Sequence, residues 1–365
     1  MDPFLYKPIF LHIAVLLSLY SLNSSQEDKL QIPECSNEGQ KIFFWSLFFI
    51  FFLGLRPVSW AFADTGNYAN YYANVPSVGE LSYGSDIVFY GIMGWFAQTG
   101  FDVSHWFLFI EIIYISGHAF AAYKLFPQGA GIAYAVVLAS FSFFSYATNG
   151  IRNGMACGLF LIALPYIKEK KWLVAGVLGV LALNVHSSIF LPFLALGLAH
   201  TYQNTKHYFI GWLVCIALSL IAGGFFENLI MNDVVADASE NAGYFSNENA
   251  DMSLFSQGGF RYDFLLYSCV PILIGYYFVI KENFQDVWYK IMLNTYIICN
   301  SVWVLVNQNW LSNRIAYLSW FMYGYVMMYP LLMNSDVENR NSKIKLAVLG
   351  NAGFSYLMWI IGKYM

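Results

Sequence analysis

Apolar runs close to the length needed to cross a bilayer recur from one end of this sequence to the other, and that recurrence leaves few folds open. A hydrocarbon core of ~30 Å takes about 20 helical residues. Within it every backbone N–H and C=O must be satisfied by the protein itself, which favours helices. The runs fall at 5–22, 41–55, 103–124, 130–148, 150–167, 172–186, 188–201, 207–224, 262–280, 288–307, 314–333 and 346–363. They predict an all-α polytopic integral membrane protein of about twelve transmembrane helices, read as a single transmembrane domain over 1–365. An outer-membrane barrel would show short alternating strands instead. The composition agrees, with 58% hydrophobic and 11% charged residues, where soluble domains carry about 25% charged.

Two larger polar stretches interrupt the pattern, 56–102 and 225–261, and both are expected as outer loops. The second is too short to bury a core of its own, so no soluble domain is expected. Inside the first, 84–98 (GSDIVFYGIMGWFAQ) is apolar but short, and reads as an amphipathic or re-entrant helix in the interface. The N-terminus lacks a basic leader and a small-residue cleavage site, which predicts a retained first span. Four cysteines (157, 215, 269, 299) lie in apolar runs and Cys35 in a short loop, a pattern without a disulfide framework. A net charge of −4 gives no reason to expect a nucleic-acid partner.

Positive charge sets the orientation. With the KEKK loop (168–171) on the cytoplasmic side, alternation leaves only Lys7, Arg56, Arg152, Arg261, Arg314 and Lys363 outside. The remaining lysines and Arg340 fall inside. Residue type then separates the faces. Lysine holds a loop in the cytoplasm by charge alone, whereas arginine presents a planar fork that grips phosphate or carboxylate oxygens with two hydrogen bonds. Arg56, Arg152, Arg261 and Arg314 each lie at or near an outer helix end, against the orientation rule, and together suit a diphosphate. Arg152 follows Asn149 and Arg314 follows Ser312-Asn313. Both are good N-cap residues, and a helix N-terminus is itself an anion site. Asp64 lies in the loop after Arg56, and Asp263 two residues beyond Arg261.

His186, in LNVHSS, stands at the outer junction of two runs among Asn184, Ser187 and Ser188, where an imidazole can act as a base or a donor. The glycines at 150, 154 and 158 are expected to let the Arg152 helix pack closely on a neighbour. Tyr244, Phe245 and Phe255 in the second loop are expected to cover a site and stack on sugar rings. Metal-ligand spacing, a P-loop, a dinucleotide fingerprint and a G-x-S-x-G elbow are all lacking, so neither a metal nor another cofactor is expected.

The order L-R-P, D-x-x-x-Y (Arg56, Asp64, Tyr68), G-I-R-N-G, H-S-S and S-N-R-I-A-Y resembles the EpsG-like branch of bacterial polysaccharide polymerases, which are similar to Wzy-type O-antigen polymerases. The resemblance covers roughly 41 to 333 and departs from the usual pattern at Asn153, where glutamine is commoner. It implies an enzyme of the bacterial inner membrane with its site and outer loops facing the periplasm. The reaction implied moves a growing glycan from undecaprenyl diphosphate onto a new lipid-linked repeat unit, in O-antigen or a related lipopolysaccharide-type surface polymer. The partners implied are those lipid-linked donors and acceptors, membrane lipid and a chain-length regulator. On this reading Arg152 and Arg314 are the main diphosphate ligands and Arg56 and Arg261 support them. His186 is the preferred base with Asp64 next, and Asp263, Asn149, Asn313 and Tyr68 are supporting residues.

Two other activities suit a multi-span chain of this kind. A lipid-linked glycan flippase needs a charged path through the membrane centre, whereas here charge gathers at one face and Glu111 is the acidic residue placed well inside a helix. A membrane O-acetyltransferase of the same polymer would leave chain length unchanged.

Overall fold

The computed structural model describes residues 1–23, 35–78, 86–240, 259–309 and 312–364, and among them it is helical with no β-strand. Tyr244, Phe245 and Phe255 lie outside the described residues. The described residues group into two compact units, Met1–Phe193 with Met328–Tyr364, and Leu194–Met327. The first holds α1 (Tyr6–Asn23), α2 (Cys35–Gly54), α3 (Asp64–Val78), α4 (Ile87–Gln98), α5 (Val103–Leu125), α6 (Ala130–Leu138), α7 (Phe143–Thr148), α8 (Ile151–Lys168) and α9 (Trp172–Val185). The chain passes through α10 (Phe190–Thr201) into α11 (Thr205–Glu240), α12 (Tyr262–Tyr276), α13 (Val287–Leu305) and α14 (Ser312–Trp320) of the second. It returns by α15 (Tyr323–Met333) to α16 (Arg340–Tyr364).

In the first unit α5 lies along both α2 and α8, and α8 along α9. The α5–α8 contact is set by glycine. A Cβ on Gly117 would stand 2.4 Å from the Gly158 carbonyl oxygen, and one on Gly158 would stand 2.8 Å from that of Ile113. Close packing at small residues is what membrane helices use where hydrophobic burial against lipid gives no driving force. The glycine at position 117 completes the ladder noted at 150, 154 and 158.

The short helix α6 ends inside the unit, so its last carbonyls need partners from elsewhere. Ser18 on α1 donates to Ala135 O at 2.9 Å, and from α16 Asn351 donates to Val136 O at 3.0 Å and Ser355 to Ala139 O at 2.7 Å. Asn351 and Ser355 thus replace donors that the continuing helix would have supplied, while Ser18 adds a second bond to a carbonyl that already accepts the Ala139 N–H.

In the second unit α11 lies along α13. Buried indoles are tied in by polar side chains: Trp212 Nε1 donates to Asn300 Oδ1 at 2.9 Å, Asn300 Nδ2 to Ser319 Oγ at 3.1 Å, and Trp320 Nε1 to Ser268 Oγ at 2.6 Å. Helix α11 kinks at Ala222 (φ −137°, ψ 30°), and Gln308 Nε2 donates to the Ser219 carbonyl there at 2.8 Å, supplying the donor a continuous helix would have provided.

Five described helices are long and apolar enough to cross a membrane: Pro3–Leu22, Val103–Leu125, Thr205–Glu227, Tyr262–Lys281 and Arg340–Gly362. The count of about twelve rests on hydropathy that these helix lengths do not all support. The runs at 130–148 and 314–333 are each divided, into α6 and α7 and into α14 and α15. Each break follows a serine that bonds back to its own helix, Ser140 Oγ to Val136 O at 2.8 Å and Ser319 Oγ to Ala316 O at 2.9 Å, a habit that bends helices. The stretch from 225 also differs from expectation, since α11 runs on to Glu240. The 56–102 segment is not mainly loop either, because it contains α3 as well as α4.

Candidate functional site

The Arg152 end of α8 is built by a tight turn. Asn149 closes α7 in a helical conformation, Gly150 holds the N-cap position with no side-chain cap bond, and α8 begins at Ile151. Asn149 is therefore not the N-cap expected of it. Its Oδ1 instead accepts the backbone N–H of Asp64, the first residue of α3, at 3.2 Å. The next residue, Thr65, donates its hydroxyl to the Thr148 carbonyl at 2.7 Å. Two consecutive residues of α3 thereby clasp two consecutive residues of the turn. One helical turn further along α3, Tyr68 presents its hydroxyl to Arg152 Nε at 2.8 Å.

Arg152 is spent on a second partner that the sequence did not single out. Its Nη1 donates to Asp86 Oδ2 at 2.7 Å, with side-chain exposures of 8% and 2%. The same oxygen bonds His186 Nδ1 at 3.0 Å, and Oδ1 accepts the backbone N–H of Ser187 at 3.2 Å. Burial alone would raise the Asp86 carboxyl. The His186 hydrogen bond and charge, the Arg152 guanidinium and the Ser187 N–H outweigh it and hold the group below its ordinary value. The carboxylate is therefore ionised at neutral pH and accepts only. Nδ1 of His186 must carry the hydrogen, and Nε2 of a neutral ring is left with its lone pair.

His186 owes its place to a chain reversal. It is extended (φ −159°, ψ 119°), closing α9 and opening the short 3₁₀ turn Ser187–Ile189. Tyr90, on the first turn of α4, puts its ring 5.8 Å from the Arg152 guanidinium carbon. Tyr71 senses the same charges. Burial raises its phenol, the Arg152 charge opposes that, and the Asp64 charge adds to it.

Arg56, expected as a supporting diphosphate ligand, points elsewhere. Its wholly buried Nη1 donates to Glu111 Oε1 at 3.1 Å and to the Leu53 carbonyl at 2.7 Å, and its Nε and Nη2 both reach Thr65 Oγ1 at 3.4 Å. Phe107 covers the guanidinium at 4.8 Å. Four of its five N–H donors are placed in this way, and it backs the α3 clasp from behind.

Arg261 and Arg314 belong to the second unit. Arg261 forks onto Asp263 with bonds of 2.9 and 2.6 Å, lies 3.7 Å over the Phe264 ring, and receives Asn307 Oδ1 at its backbone N–H. Arg314 is in the first turn of α14, but Ser312 and Asn313 are the helix's first two residues and not its caps. Ser312 Oγ donates to the Asn307 carbonyl at 3.4 Å. Of the expected site residues, the structure brings Arg152, His186 and Tyr68 onto one cluster and sets Asn149, Asp64 and Arg56 around its base.

Asp86 is the residue that sequence reasoning missed. It precedes the apolar run IVFYGIM and holds the N-cap position of α4, yet makes no cap bond. A carboxylate ahead of a helix looks like a cap, and Arg152, His186 and Ser187 lie 66 to 101 residues further on.

Compared with known protein families, the chain matches the EpsG family over residues 41–364. No curated protein and no solved structure matches it.

Proposed function

Because this chain belongs to the EpsG family, with which a polysaccharide polymerase-like role goes, we propose that it is the polymerase of lipid-linked oligosaccharide repeat units. The donor is a growing glycan on undecaprenyl diphosphate, the acceptor is a new lipid-linked repeat unit, and the reaction takes place at the periplasmic face of the bacterial inner membrane. One observation carries this reading. Arg152 and His186, from different helices, meet on a single oxygen of Asp86 within the first unit. A fork for an anionic leaving group and an imidazole for a proton thus stand side by side.

In the proposed step the acceptor hydroxyl gives its proton to His186 Nε2 as its oxygen bonds the anomeric carbon of the donor. The bond from that carbon to the diphosphate oxygen breaks, and its electron pair leaves with the diphosphate. Arg152 holds the diphosphate and neutralises the charge gathering on the leaving oxygen. Tyr68 fixes the guanidinium through Nε, so its orientation is set before substrate arrives. Arg314 and Arg261 remain candidate anion ligands in their own right, Asp64 is the alternative base, and a chain-length regulator is an expected partner.

The test is the surface-polysaccharide ladder in a deletion strain complemented with point mutants. Arg152→Ala and His186→Ala should reach the membrane at normal levels yet yield single repeat units, with a rate loss of about 10²–10³-fold for the arginine. Arg152→Lys, which keeps the charge but not the fork, should also shorten the chains. Wild-type ladders from both alanine mutants would refute the assignment. Unchanged ladders with lost acetyl signals would identify an acetyltransferase, and repeat units stranded on the cytoplasmic leaflet a flippase.

A further inference from the structure

We infer that Asp86 couples the two halves of the site, occupying Arg152 until a diphosphate displaces it and then passing its full charge to His186. The inference rests on the proposed function for the identity of the anion, and it adds a positioning residue that controls when the base becomes active.

Asp86 Oδ2 is shared between Arg152 Nη1 at 2.7 Å and His186 Nδ1 at 3.0 Å, so both groups draw on the charge of one oxygen. A diphosphate oxygen arriving at Arg152 competes for the Nη1 donor. It also sets a second anion beside a carboxylate that is only 2% exposed, where like charges repel strongly. Leaving Arg152 does not orphan the carboxylate. His186 Nδ1 and the Ser187 N–H lie on one short segment, and they bond to Oδ2 and Oδ1 respectively. A resting place for the displaced charge is therefore already built.

The consequence for His186 follows from charge balance. While Arg152 is on Oδ2, the carboxylate divides its charge between the guanidinium and Nδ1–H. Once the diphosphate has taken Arg152, the whole negative charge faces Nδ1–H and stabilises the ring as Nε2 accepts the acceptor proton. The base then takes the acceptor proton only when a leaving group is loaded. Asp86 touches neither the transferred proton nor the diphosphate, so it acts through Arg152 and His186.

Coupling of this kind is reciprocal, and the two ends give opposite signs. Purified full-length protein in detergent is titrated with farnesyl diphosphate, a short polyprenyl diphosphate, and chain extension is measured separately. Asp86→Asn keeps the shape but removes the competing charge. It should bind the probe about fivefold or more tightly while chain extension slows at least tenfold. His186→Phe removes the alternative partner of Asp86 and holds the carboxylate on Arg152. It should weaken probe binding several-fold, although His186 does not hold the diphosphate.

A support role for Asp86 that is purely structural predicts weaker binding in Asp86→Asn, and that result overturns the coupling. Unchanged or tighter binding in His186→Phe overturns it as well, and keeps the question answerable if Asp86→Asn does not fold. Equal binding by wild type and Arg152→Ala would refute the diphosphate assignment itself, and the coupling with it. Binding that depends on Arg152 but shifts the wrong way in the other two variants would refute the coupling alone.

Discussion

Arg56 and Glu111 form an ion pair at 3.1 Å with both side chains wholly buried. Removing one member of such a pair leaves an unpaired charge in the interior, at a cost of about 3–5 kcal/mol, while replacing both with apolar residues is often neutral. Arg56→Met should therefore lower the thermal midpoint of the detergent-solubilised protein sharply, and Arg56→Met with Glu111→Met should recover most of it. A diphosphate ligand at Arg56 would behave differently, since the double variant would then regain stability but no polymer.

Neither Gly117 nor Gly158 has room for a side chain. Gly117→Ala puts a methyl 2.4 Å from a backbone carbonyl oxygen, and that oxygen has no flexible side chain behind it to yield. Folded protein in the membrane should fall steeply. Gly176→Ala on α9 meets nothing within 4 Å and should be neutral or gain about 0.5–1 kcal/mol from helix propensity. Fluorescence-detected size exclusion of the two variants makes the comparison.

Tyr68→Phe removes the acceptor of Arg152 Nε without changing the ring packed against Phe89 and Trp106. Protein level should hold, while the KM for the lipid-linked donor rises several-fold and ladders shorten. An unchanged KM would show that Asp86 alone orients the guanidinium.

Acid should erase the Asp86 contribution. Its carboxyl stands below the ordinary value, so the folded state binds this proton less readily than the unfolded state. The associated stability is complete above the ordinary aspartate pKa of about 4 and is lost as pH falls through the depressed value. The gap in melting temperature between wild type and Asp86→Asn should close as pH falls below about 4. A gap that persists below the depressed value would contradict the ion-pair geometry.

The features legible in the sequence were those written locally. Glycines at four-residue spacing announced a close helix contact, and LNVHSS announced a polar junction between two apolar runs. Asp86 was illegible because its cap-like position conceals a long-range role. The pairing of Arg56 with Glu111 spans 55 residues and leaves no periodic trace. Helix α3 looks like loop in the sequence because NYANYYANVP is rich in poor helix formers. Its start is held by tertiary bonds from Asn149 and Thr148 that no propensity records. The breaks after Ser140 and Ser319 were hidden for a related reason, since hydropathy weighs side chains and does not see a hydroxyl bonding its own helix.

The Gly117–Gly158 crossing has a geometric result for the charges above it. Glu111 lies on α5 and Arg152 on α8, each six positions before its glycine, about 9 Å along the axis. The protein thus measures the height of both groups from its own internal fulcrum. Lipid chain length does not enter that measurement, so vesicles of thin and thick bilayers should find Arg152 at the same distance from Glu111.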